Sequence, residues 1–145
     1  TDIQDFLRAH QDRLDSMDLI VGTLEIKAEM MRRLRSLSGI YITSSVPHLI
    51  EISNEACGKH RGLAFLSEHL GIPQNAVCAF GNADNDADML TWAGLGIAVA
   101  NGSPACRAAA DIITADYLKD GVARAFETHL HIHPISKGEP HGTAH

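Results

Sequence analysis

The chain has 145 residues, enough for one ordinary domain with a real core or for two small lobes. Its 45% hydrophobic and 21% charged residues suit a soluble globular body, and a net charge of −6 argues against a nucleic-acid surface, which needs clustered Lys and Arg. No apolar run reaches the roughly 18 to 20 residues that cross a bilayer and no signal-peptide pattern is present, so no membrane partner is expected.

Taken in chain order, residues 3–15 place Ile3, Phe6, Leu7 and Leu14 near one helical face. Residues 18–22 read as a short strand, and residues 26–37 as a second helix stopped by Gly39. The alternating charges of Met31-Arg32-Arg33-Leu34-Arg35 fit a solvated helix face. Residues 39–43 and 48–52 are β-branched runs around Ser44-Ser45-Val46-Pro47, which predicts an antiparallel hairpin turning at Pro47. Residues 1–54 are therefore expected to form a small α+β lobe.

From Lys59 the rhythm changes to alternating helix and strand. An amphipathic helix over 59–70 ends at Gly71, and residues 76–80 are apolar at every position, as in a parallel strand buried on both faces. A helix over 84–92, a strand at 97–99, a helix over 104–110, a strand at 112–114 and a helix over 121–129 follow. That order predicts a doubly wound α/β unit over 55–130. Residues 131–145 turn to Pro, Gly, Ser and His without periodicity and read as a flexible tail, and His129 just before it with His131, His133, His141 and His145 within it give at most adventitious metal affinity. Cys57, Cys78 and Cys106 are odd in number and widely spaced, which fits reduced cytoplasmic thiols and no disulfide framework.

The densest chemical signal is Gly81-Asn82-Ala83-Asp84-Asn85-Asp86-Ala87-Asp88-Met89-Leu90, which starts where the buried strand ends. Ligands of open α/β sheets bind outside the carboxyl ends of the strands. Magnesium takes one or two hard protein oxygens and leaves the rest of its shell to water and phosphate, and Asp86 with the Asn82 amide oxygen can supply them. Asp88, two residues on and on another helical face, carries less weight. An EF-hand would need Gly and Glu where this chain has Met89 and Leu95, counting from Asp84. A helix N-terminus decorated with Asp to suit the macrodipole remains the plain alternative.

This segment resembles the fourth motif of the haloacid dehalogenase superfamily, specifically Cof-type phosphatases with a type IIB cap, through Gly81, Asn85, Asp86, Met89 and Leu90. Ala93 to Val99, Asn101, Ala108 to Asp111 and Asp120-Gly121-Val122 resemble its later segments. Pro47 to Ile52 followed by Gly58-Lys59 is similar to its passage from cap to core and its third-motif lysine. The resemblance spans residues 40–129. It implies the C-terminal half of a Rossmann-like core preceded by part of a cap.

Under this resemblance Lys59 is the catalytic lysine facing the phosphoryl group, Lys59 and Asn85 bind phosphate, and Asn82 and Asp86 hold Mg2+. The implied activity is hydrolysis of small phosphorylated metabolites such as sugar phosphates, with an aspartate nucleophile and an acid–base aspartate. Two departures stand out. Asn82 replaces an aspartate, keeping an oxygen donor but losing a charge, and the family's first motif, an Asp-x-Asp pair after a strand N-terminal to the cap, is absent together with its second-motif Ser or Thr. Because the chain also begins at Thr1, the expectation is a truncated enzyme, inactive alone, whose partner is its missing N-terminal half. The open strand at 76–80 is expected to seek that half or to self-associate. The rival readings are a non-catalytic phospho-ligand or metal-binding module on the same scaffold, and the phosphorylation domain of a cation-pumping ATPase.

Overall fold

The computed structural model describes residues 2–131, so His133, His141 and His145 of the predicted tail lie outside the described residues. Helix α1 (Ile3–Ala9) starts with the Asp2 side chain accepting from Gln4 N–H at 2.8 Å. It stops before the predicted end near residue 15 because no α1 residue is buried, and a short helix without tertiary packing does not extend itself. Strand β1 (Ser16–Ile20) lies two residues earlier than expected, set by its register on β3, from Ser16 opposite Ser53 to Ile20 opposite Leu49. Helix α2 (Leu24–Leu34) is capped by Thr23 Oγ1, which accepts from Ile26 N–H at 3.3 Å.

The predicted hairpin forms as β2 (Ile40–Thr43) and β3 (Leu49–Asn54). Lys27 reaches from α2 to fasten its turn, donating from Nζ to Ser44 Oγ at 2.6 Å and to the Pro47 carbonyl at 2.8 Å. The three strands form an antiparallel sheet in the order β1-β3-β2. Directly opposed residues share a face. Ser16, Ser53 and Tyr41 thus make one row, and Asp18, Glu51 and Thr43 the next row on that same face. The opposite face carries Met17, Ile52 and Ile42, then Leu19 and the fully buried Ile50.

Beyond α3 (Lys59–Leu70) a second, parallel sheet follows, ordered β4-β5-β6 from Cys78–Gly81, Leu95–Val99 and Ile112–Thr114. Helices α4 (Ala87–Trp92), α5 (Pro104–Ala109) and α6 (Gly121–Thr128) complete it. Ala79 and Ala98 on one face meet Leu90 of α4 and Cys106 of α5 in a buried cluster. Phe80, on the other face, stacks on Phe126 of α6 with ring centroids 5.3 Å apart. Helices on both faces make this the doubly wound α/β arrangement that the sequence predicts.

Strand β4 departs from its expectation in two ways. Gln74–Ala76 close a single 3-10 turn, with Ala76 N–H donating to the Pro73 carbonyl at 2.9 Å, so pairing starts only at Cys78. Ala79 and Gly81 are buried but Cys78 and Phe80 are only partly so, because β4 is an edge strand with one face incompletely covered.

Candidate functional site

The parallel strand β4 ends at Gly81, and the next five residues turn back over its end before α4 begins. Asp84–Asp86 form one 3-10 turn, which aims the Asp86 carboxylate back beneath the loop. Asp86 is 3% exposed. Its Oδ2 accepts from the backbone N–H groups of Asn82 at 2.8 Å and Ala83 at 3.0 Å. Its Oδ1 accepts from Lys59 Nζ, forming an ion pair. Space for this packing depends on glycine, since a Cβ on Gly81 would lie 2.7 Å from the Asp86 Cβ.

Lys59 comes to Asp86 from the first residue of α3. The preceding Gly58 has φ +121°, a backbone that L side chains rarely adopt, and a Cβ there would meet the His60 ring at 2.9 Å. The first turn of α3 contains no acid and no side-chain cap, so its N-terminal amides and the Lys59 charge reinforce one another. The Asp86 carboxyl feels opposed forces. Burial pushes its pKa up, but the Lys59 hydrogen bond and the two backbone donors outweigh burial and hold it below the ordinary carboxylate range.

Lys59 and Asn85 line one cavity of about 300 Å³ between the two sheets. Its roof is the polar face of the first sheet, including Asp18, Tyr41, Thr43 and Glu51. Asn85 Oδ1 is buried and has no hydrogen-bond partner, and Glu51 Oε2 is in the same state. A half-turn of the Asn85 amide presents its NH2 group at the same place, so this residue can serve a phosphate oxygen or a cation. Tyr41 Oη donates to Asp88 Oδ2 at 2.8 Å, joining roof to floor.

Of the residues singled out from sequence, Lys59, Asn85 and Asp86 are therefore brought together. Asn82 is placed differently. Its N–H supports Asp86 and its carbonyl accepts from Ser103 N–H at 2.8 Å, while the residue itself is exposed and borders a separate depression with Phe80, Val99 and Val122. Sequence reasoning passed over Asp18, Tyr41 and Glu51. Their signal was present as the polar half of an alternating strand, Glu51 and Ser53 against Ile50 and Ile52, but a polar strand face ordinarily points to water.

Oxygen ligands for a metal are few. Among the described residues no group of three His, Cys, Asp or Glu side chains could hold an ion. Asp86 already accepts three hydrogen bonds, which leaves about one of its roughly four lone-pair directions. That set suits an ion taking one or two protein oxygens and completing its shell with water and phosphate.

The haloacid dehalogenase-like hydrolase family model matches residues 2–126. A 5-amino-6-(5-phospho-D-ribitylamino)uracil phosphatase of Bacillus subtilis (strain 168), YitU, is 43% identical over 77 residues, covering 53% of this chain and 28% of its own length. A second phosphatase with that activity in its name, YcsE of the same organism, is 37% identical over 101 residues, 70% of this chain and 41% of the relative. The chain thus spans less than half the length of either. Among solved structures, a haloacid dehalogenase-like hydrolase from B. subtilis superposes with a TM-score of 0.75 at 26% identity, over 79% of this chain and 40% of that one. A HAD subclass IIB sugar phosphatase superposes with a TM-score of 0.71 at 25% identity, over 84% of this chain and 45% of that one. With a family match running across both sheets and this loop, the chain belongs to the haloacid dehalogenase-like hydrolases.

Proposed function

We propose that this chain forms part of a magnesium-dependent phosphomonoesterase acting on small phosphorylated metabolites, with residues 1–54 as part of a cap and residues 55–130 as the later half of the core. The observation that carries this reading is the ion pair between the half-exposed Lys59 and the buried Asp86 at the carboxyl end of β4, which sets the Lys59 ammonium in the same cavity as the unpartnered Asn85 amide. The two B. subtilis relatives and the subclass IIB neighbour, phosphatases by name, support it.

In this reading Lys59 supplies a fixed positive charge to the phosphoryl oxygens, oriented by Asp86 and assisted by the open N-terminal amides of α3. Asn85 donates its NH2 to another phosphate oxygen. Asp86 would hold Mg2+, joined by the Asn82 amide oxygen if that side chain turns away from its depression with Phe80 and Val122, and the ion when bound would neutralise charge on the transferring group. The Asp86 carboxylate is anionic at neutral pH, as both the lysine and an ion require. The attacking and acid–base carboxylates implied by the family are proposed to come from another part of the longer enzyme, as the 28% and 41% coverage of the relatives suggests. The chain's own residues bind, orient and neutralise.

Calorimetric titration with inorganic phosphate in magnesium buffer tests this directly. Binding by the chain, weakened at least about tenfold by Lys59→Ala and by Asn85→Ala, is expected. Equal binding by both variants would overturn the assignment.

A further inference from the structure

The polar face of the first sheet poses a physical problem. Asp18 and Glu51 stand directly opposite one another on β1 and β3, where like charges destabilise a strand pair. Neither carboxylate has an ion-pair or hydrogen-bond partner among the described residues, and Glu51 Oε2 is buried without one. Lys59, the one cationic side chain of the cavity, is committed to Asp86. Tyr41 is committed to Asp88. The face therefore presents a buried, unpartnered acceptor at Glu51 and a solvent-exposed one at Asp18 to the open cavity, together with the hydroxyls of Ser16, Thr43 and Ser53.

The cavity is thus bipolar. Its floor, at Lys59 and Asn85, suits an anion, and its roof, at Asp18 and Glu51, suits hydrogen-bond donors and repels a second anion. We propose that Glu51 and Asp18 determine substrate specificity by accepting hydrogen bonds from the organic part of the phosphoester, selecting amine- or hydroxyl-bearing esters and rejecting those with a carboxylate. The selection works by both attraction and repulsion, since an acid placed there would face two unpaired carboxylates. This inference rests on the phosphate-binding role of Lys59 and Asn85.

The test uses the whole chain and four ligands with one phosphate each: inorganic phosphate, phosphoethanolamine, glycerol 3-phosphate and phosphoglycolate. Calorimetry is expected to show phosphoethanolamine or glycerol 3-phosphate binding about tenfold or more tighter than phosphoglycolate. The amine and hydroxyl arms separate the two kinds of donor. Glu51→Gln removes the charge and keeps the shape, and Asp18→Asn does so at an exposed position where folding is not at risk. Either variant should narrow the preference against phosphoglycolate, raising its affinity more than that of inorganic phosphate. An unaltered preference in both variants, or phosphoglycolate binding tightest to the wild type, overturns the role of the roof alone. Failure of inorganic phosphate itself to bind overturns the phosphate assignment, and this inference falls with it.

Discussion

Tyr41 of β2 donates its phenolic proton to Asp88 Oδ2 of α4 at 2.8 Å, tying the first sheet to the second beside the cavity. Burial first, and then the Asp88 carboxylate, push the Tyr41 pKa up to about 12, so the phenol remains a donor at every working pH. A raised pKa makes this contribution to stability complete below the unfolded value of about 10, with its loss as pH rises toward about 12. Tyr41→Phe keeps the ring near His60, 6.0 Å away, and should cost about 0.5–1 kcal/mol, since solvent screens a hydrogen bond to an exposed carboxylate. Urea unfolding at neutral and alkaline pH checks this: the wild type should lose its advantage over Tyr41→Phe at high pH, and a constant gap would disprove the contact.

Acid should act through Asp86. Its folded pKa lies below the ordinary carboxylate value of 3.8, so the stability it contributes is present above that value and is lost as pH falls through the depressed folded value. Asp86→Ala leaves the Asn82 and Ala83 amides without their acceptor, and a cost of about 1–3 kcal/mol for each buried unsatisfied group is expected. Unfolding midpoints measured from neutral to strongly acidic pH should converge for the two proteins, and parallel curves would count against the ion pair.

Magnesium affinity should rise when Asn82 is changed to Asp, because a carboxylate adds charge beside Asp86 where an amide supplies only an oxygen. Titration of Mg2+ into both forms decides the matter. Equal or weaker binding by Asn82→Asp would mean that residue 82 turns toward its depression with Phe80 and Val122 and not toward the ion.

Strand β4 pairs with β5 on one side and, among the described residues, with nothing on the other. Beside it, Phe80, Val99, Tyr117 and Val122 line a largely apolar depression of about 350 Å³. An unpaired edge next to apolar surface recruits strands. We expect concentration-dependent association of the chain, relieved by an added segment able to pair with β4. Light scattering that shows a monomer at every concentration would refute this.

Much of the molecule was legible in the sequence because local chemistry wrote it there. Pro47 between two β-branched runs specified the hairpin, Gly71 ended α3 in the left-handed conformation, and the alternation after Lys59 specified a doubly wound sheet. Lys59, Asn85 and Asp86 were recognisable because they sit in short motifs at element ends, where spacing along the chain translates directly into position. The limits of α1 and β1 were not legible, since tertiary register and missing burial decided them. Nor was the Lys59–Asp86 contact, which joins residues 27 apart. The roof of the cavity was decided only by folding: whether Asp18 and Glu51 face water or a binding site depends on which face of a three-stranded sheet turns toward α3 and α4, and a period-2 pattern distinguishes the two faces without saying what lies opposite either of them.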